Sequence, residues 1–182
     1  MKIAIAGYGV VGRGTHELLL MNRDKIAARA GEEIEVKYVL DPKPLEGTPA
    51  EQLKASGIEE ILADPEVKLL VEAIGGVGPA YEYVKAALES GRSVVTPNKQ
   101  LVAEKGAELL AIAREKNVGF LFEASVAGGT PVLHPISQCL WANDLDLAAG
   151  ILNGTTNYIL TKMVQEGAGF EETLREAQRL GY

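Results

Sequence analysis

Two hydrophobic rhythms alternate along most of the chain: short apolar runs, and longer stretches in which apolar positions recur at helical spacing. Ile3 to Ala6 form the first run, and Val11, Leu18, Leu19 and Ile26 follow as one helical face. Further strand-like segments lie at Ile34 to Leu40, Lys68 to Ala73, Ser93 to Thr96 and Val118 to Phe122. Helical stretches at about Pro79 to Glu89 and Leu101 to Lys116 are interleaved with them. Strands that alternate with helices predict an α/β fold with a doubly wound parallel sheet. The pattern changes near Pro131, where a helix to about Asn143, a strand from Leu145 to Leu152, a helix from Thr155 to Glu166 and a last helix from Phe170 are expected. The predicted domains are therefore 1–130 and 131–182, the second being the beginning of an α+β unit. No internal repeat or low-complexity tract interrupts them.

The first run ends in Gly7-Tyr8-Gly9-Val10-Val11-Gly12, so strand, glycine turn and helix follow one another directly. In that context Gly7 permits the tight turn and Gly9 lets the backbone approach a pyrophosphate. Gly12 lets helix and strand pack closely, with the phosphates at the helix N-terminus and Tyr8, Val10 and Val11 completing the loop. A dinucleotide is the expected ligand; a purely structural glycine turn is the alternative. Ligands of doubly wound sheets bind beyond the C-terminal ends of the strands. That edge carries the glycine turn, Asp41, Ile74-Gly75-Gly76, Thr96-Pro97-Asn98-Lys99 and Glu123-Ala124-Ser125. Asp41 can take a ribose diol and repel the extra phosphate of NADP, which favours NAD, whereas Lys43 is close enough in sequence to compensate. Asp41-Pro42 also reads as a plain turn.

Composition narrows the partners. A net charge of −7 and a pI near 5.0 argue against nucleic acid and anionic membrane, which demand clustered Lys and Arg, and favour a small-molecule substrate. No apolar run approaches membrane-spanning length. Glycines interrupt the apolar start after Lys2, so no signal peptide is read there and a cytoplasmic location is expected. Cys139 is the only cysteine, which rules out an internal disulfide. Its neighbours Ile136, Leu140 and Trp141 predict a buried thiol on a helix in a reducing compartment.

A second concentration of chemistry runs from Glu123 to Tyr158. EASVAGGTP and GILNGTTNYI place small and hydroxyl residues between apolar runs. Gly128 and Gly129 permit close backbone approach to a ligand or ion, and Asn153, Thr155, Thr156 and Asn157 supply uncharged donors and acceptors. The alternative is that the glycines turn the chain and Thr or Asn caps a helix. His16 on the first helix and His134 between two prolines are weak catalytic candidates, and Lys99 alone reads as a surface lysine.

Taken in order, GYGVVG, EAIGG, VVTPNK, FEASVAGGTP, GILNGTTNYI and the terminal AQRLGY resemble the homoserine dehydrogenase family over essentially the whole chain. The match is to the N-terminal part of that family's catalytic region, a Rossmann-type domain followed by the start of a substrate and dimerisation domain. The resemblance implies NAD(P)-dependent interconversion of L-homoserine and L-aspartate-4-semialdehyde, on the route to threonine, methionine and isoleucine, in a homodimer. Lys99 matches an active-site lysine beside nicotinamide and substrate. Glu123, Val126, Gly128 and Thr130 match positions whose backbone oxygens hold a monovalent cation, usually sodium. Gly154 and Thr155 match a substrate-side loop, although Thr155 also reads as an N-cap. Gly75 lies among the cofactor loops, and Gly181 and Tyr182 match the start of another cofactor and substrate segment. The sequence ends before the acidic residues, aspartate and lysine that the family credits with substrate binding and proton transfer. The expectation is a chain of impaired catalysis on its own. A non-catalytic dinucleotide-binding or regulatory module is the alternative, and another semialdehyde dehydrogenase is a third.

Overall fold

The computed structural model describes residues 1–181 and divides into two compact units, Met1–Ser125 and Val126–Tyr182. The boundary falls a few residues before the break read from the sequence. In the first unit the strands are β1 (Lys2–Ala6), β2 (Glu35–Leu40), β3 (Val67–Glu72), β4 (Ser93–Val95) and β5 (Phe120–Leu121). They form one parallel sheet in the order β2-β1-β3-β4-β5. The helices α1 (Val10–Met21), α2 (Arg23–Ala30), α3 (Ile58–Ala63), α4 (Gly78–Glu89) and α5 (Lys99–Lys116) make the crossovers. The chain steps from β1 outward to β2, then crosses back to β3, so strand order reverses beside β1 and opens a crevice at its C-terminal end.

Residue composition explains why β1 is an inner strand, flanked by β2 and β3. Ile3 and Ile5 pack with Val39, Val71, Tyr8 and Leu45 in one buried cluster. Ala4 and Ala6 face the opposite cluster, which contains Leu70, Val94 and the α4 and α5 residues Val84, Leu88, Leu101 and Leu109. A strand buried on both faces reads as a continuous apolar run, which is why this segment shows no polar alternation. The helix ends are also locally encoded. Asn98 caps α5 by accepting the Leu101 N–H at 3.1 Å, and Asn117 closes the same helix in a left-handed conformation.

The second unit holds a π-helical turn at Pro135–Cys139 and two further helices, α6 (Gly154–Gln165) and α7 (Phe170–Leu180). Ile159, Thr173 and Ala177 are buried between α6 and α7, and Lys162 bridges to Glu176 at 2.8 Å. Two expectations fail here. Leu145–Leu152 forms no strand among the described residues: nothing pairs with it, and Leu147 and Ile151 stand 83% and 75% exposed. A short apolar run marks strand potential, but a strand exists only where a second backbone supplies the ladder. Cys139 is exposed rather than buried, because the single π turn that carries it leaves Trp141 and Leu140 uncovered as well. Among the described residues no helix is long and apolar enough to cross a membrane.

Candidate functional site

The glycine loop meets three different constraints at its three glycines. Gly7 has φ +91°, and a Cβ there would stand 2.5 Å from the Ala73 carbonyl oxygen, so loop and β3 close on each other. A Cβ on Gly12 would press into the Gly7 carbonyl oxygen. A Cβ on Gly9 meets nothing within 4 Å. Packing therefore accounts for the first and third glycines but not the second, whose freedom faces open space. Gly9 precedes α1 without any side-chain cap, the first turn holds no acidic residue, and Val10 and Val11 are exposed. The helix thus offers unpaired N–H groups and the positive end of its dipole to an anion.

The loop is held from behind. Gly7 N–H donates to Leu40 O at 2.8 Å, and Tyr8 N–H donates to Asp41 Oδ2 at 2.6 Å. The Tyr8 hydroxyl and His16 Nδ1 share a buried hydrogen bond of 2.8 Å. Burial lowers the His16 pKa and raises that of Tyr8, so both are held neutral. His16, a weak catalytic candidate by sequence, is a strut that fixes Tyr8 to α1. Before this loop lies a cleft of about 340 Å³ lined by Gly7, Tyr8, Gly9, Arg13, Asp41 and Lys43, among others.

A second network organises the neighbouring strand ends. Glu72 is fully buried; its Oε1 accepts the N–H groups of Ile74 at 2.7 Å and Gly75 at 3.1 Å, and its Oε2 accepts the Thr96 hydroxyl. Thr96 Oγ1 in turn accepts the Asn98 N–H at 3.0 Å, and Asn98 Nδ2 donates to Gly76 O at 2.6 Å. The Gly75-Gly76 turn and the Asn98-Lys99 turn are thereby tied together. Lys99 follows as the exposed first residue of α5. A cation at a helix N-terminus opposes the dipole, and such a departure from local preference is expected where function demands it.

The remaining sequence-derived residues lie elsewhere. Glu123 sits in the turn Glu123–Ser125 of the first unit, and Val126, Gly128 and Thr130 belong to the second. Ala127 and Gly128 both have φ +57°, and Thr130 N–H donates to Ala127 O at 3.1 Å. A left-handed alanine is unusual, and such outliers cluster at functional turns. Among the described residues no three His, Cys, Asp or Glu side chains gather to hold a metal, so any cation at this turn would rely on backbone oxygens. Gly154 and Thr155 open α6, but the cap is Asn153, which accepts the Thr156 N–H at 2.9 Å. Thr155 is not the N-cap. Gly181 ends α7 with φ +86°, and Tyr182 lies outside the described residues. The sequence reading missed the Glu72 network, the Tyr8–His16 strut and Arg13. Only Glu72 left a signal, an acid ending an apolar strand.

A glycine turn at a strand reversal, an open Gly9 before an uncapped helix and a lysine on the same sheet edge define a dinucleotide-binding domain of the dehydrogenase class. Family comparison agrees and goes further. The model for "Homoserine dehydrogenase, NAD binding domain" matches residues 7–123, and the "Homoserine dehydrogenase" model matches 131–182. The chain belongs to the homoserine dehydrogenase family. It is 46% identical to the homoserine dehydrogenase of Pseudomonas aeruginosa over 100% of this chain and 42% of that protein. Among solved structures, a homoserine dehydrogenase from Thiobacillus denitrificans superposes with a TM-score of 0.89 at 42% identity, over 100% of this chain and 43% of the other. A hyperthermophilic archaeal homoserine dehydrogenase in complex with NADPH superposes at 0.82 with 28% identity, over 100% and 62%. The chain thus spans less than half the length of the Pseudomonas relative.

Proposed function

We propose that this chain is the cofactor-binding part of a homoserine dehydrogenase that interconverts L-homoserine and L-aspartate-4-semialdehyde for threonine, methionine and isoleucine biosynthesis. Gly7, Tyr8, Gly9, Val10, Val11 and Gly12 receive the pyrophosphate of NAD or NADP. The observation that carries this is Gly9, the one loop glycine that packing does not require. Asp41 borders the adenosine end, and Gly75, tied to the Lys99 turn, borders the nicotinamide end. The bound dinucleotide supplies the hydride acceptor or donor. Lys99 offers an ammonium that orients the reacting oxygen or the substrate carboxylate. The free N–H groups at Gly154 and Thr155 receive that carboxylate, and Gly181 and Tyr182 contribute to the same cofactor and substrate segment. Glu123, Val126, Gly128 and Thr130 hold a monovalent cation, sodium by family resemblance, with the left-handed turn at Ala127–Gly128 as the local support. Homodimeric assembly and a cytoplasmic location complete the proposal.

The deciding experiment measures reduced-cofactor formation from L-homoserine. The chain is assayed alone and joined to the remaining length of its Pseudomonas relative. Turnover of homoserine by the extended protein, lost on Gly9→Asp, supports the proposal. An extended protein that ignores homoserine but oxidises another amino alcohol refutes it.

A further inference from the structure

A cavity of about 370 Å³ lies between α1, the start of β2 and the short turn Glu51–Leu53, and it shares no lining residue with the cleft before the glycine loop. We propose that it is a second small-molecule site of this chain, taking a compact uncharged alcohol or phenol whose hydroxyl bonds His16 Nε2. The site is independent of what the glycine loop binds.

His16 supplies the one polar group of the inner wall. Its ring is buried yet lines this cavity, and Nδ1 is turned to the Tyr8 hydroxyl. Nε2, on the far side of the ring, has no hydrogen-bond partner among the described residues. Nor is it sealed off. Arg92 Nε alone among the described residues' side-chain nitrogens and oxygens is both sealed and unpartnered, so His16 Nε2 reaches the open space of the cavity. A buried residue rarely leaves such an atom unused, and its freedom marks a place for another group. Burial holds the ring neutral, so one of its nitrogens donates and the other accepts. Whichever role Nδ1 takes toward Tyr8, Nε2 has the opposite one. A hydroxyl, which both donates and accepts, meets either.

The walls set the rest of the ligand. Leu19, Ile34 and Leu53 line the cavity and pack on the buried cluster that contains Val36. Charges at the rim are already matched, Arg23 with Glu33 and Glu35 with Lys2. An ionic ligand would give up its water for apolar walls and find no free counter-charge, whereas an apolar body gains from leaving water. Pockets for small ligands span about 300–1,000 Å³, and this one lies at the lower end, which keeps that body compact.

Titration of the chain with para-ethylphenol, followed by NMR of the imidazole nitrogens of His16 and His134, tests the site. Saturable shifts at His16 and none at His134 are expected, with a dissociation constant of about 1 mM or tighter for a ligand of so few atoms. Ethylbenzene, the same body without the hydroxyl, should bind wild type about five- to tenfold more weakly. His16→Phe keeps a ring but loses Nε2, so it should bind the two probes alike. Leu53→Trp fills the cavity and, where its melting curve shows a folded protein, should bind neither; where it does not fold, the wild-type and His16→Phe titrations decide. The site is overturned if para-ethylphenol leaves the His16 nitrogens unmoved, binds no tighter than ethylbenzene, or binds a folded Leu53→Trp as it binds wild type. Competitive displacement by NADH would also overturn it, by placing the probe in the glycine-loop cleft, and would leave the dinucleotide reading intact.

Discussion

Gly12 cannot carry a side chain, because a Cβ there would press into the carbonyl oxygen of Gly7, inside the 3.0 Å that real Cβ atoms keep. The clash is with backbone, which cannot swing aside as a side-chain tip can. Gly12→Ala should destabilise the first unit by about 1–3 kcal/mol or more, read as a lower urea midpoint. Gly9 behaves oppositely. Its φ of −75° and ψ of −158° suit any residue, and its Cβ position is open. Gly9→Asp should therefore melt like wild type yet fail to bind NAD(P)H, because a carboxylate replaces the space the pyrophosphate needs. Equal cofactor binding by Gly9→Asp would remove the pyrophosphate from this loop.

Glu72 makes the second structural prediction. Replacing it with alanine leaves the part-buried Ile74 and Gly75 N–H groups and the buried Thr96 hydroxyl without their shared acceptor. A buried unpaired donor costs about 1–3 kcal/mol and a part-buried one less, so Glu72→Ala should lose about 2–3 kcal/mol, most of it at the Thr96 hydroxyl. Glu72→Gln retains one acceptor oxygen and should fall between. Denaturant unfolding of both variants measures this; an alanine variant as stable as wild type would show that the network is ornamental.

Local signals explain what was legible in the sequence. The β1 run, the glycine turn and the α4 and α5 faces each depend on residues within a few positions, and they lie where periodicity places them. The Glu72–Thr96 tie spans 24 residues and the Asn98–Gly76 tie 22, so neither side chain reveals its partner from its neighbours. His16 looked like a polar residue on a helix, and only the fold shows that Tyr8 covers it. Leu145–Leu152 fails for the converse reason: its pattern is right, but a strand also needs a partner that pattern cannot supply.

His16 carries a pH signature. The imidazole is 3% exposed, and desolvation holds its pKa below the ordinary 6.5. The unfolded chain therefore binds a proton that the folded chain refuses, and stability rises with pH across that interval. The contribution is whole above pH 6.5 and is lost as pH falls through that value toward the lower folded pKa. Urea midpoints measured between about pH 7.5 and 5.5 should drop more for wild type than for His16→Gln, which has no imidazole to protonate. Parallel curves for the two proteins would mean that His16 is solvated enough to titrate normally.

Lys99 should reverse the usual coupling of stability and activity. It is the exposed first residue of α5, so its ammonium faces the positive end of the helix dipole, and among the described residues no ion pair of its side chain offsets that cost. Lys99→Ala should leave stability unchanged or raise it by about 0.3–1 kcal/mol. Turnover of homoserine by the extended protein should nevertheless fall by about 10²- to 10⁴-fold, the range for losing a positioned charge or proton-transfer group at a reacting centre. The Asn98→Ala variant separates position from charge. It keeps the ammonium but loses the Leu101 cap and the Gly76 tether, so it should lower both stability, by about 1 kcal/mol for the cap, and turnover. Thermal melts beside steady-state assays decide the matter. A Lys99→Ala variant that turns over normally would return Lys99 to the solvated surface, and one that unfolds would make it a structural residue instead.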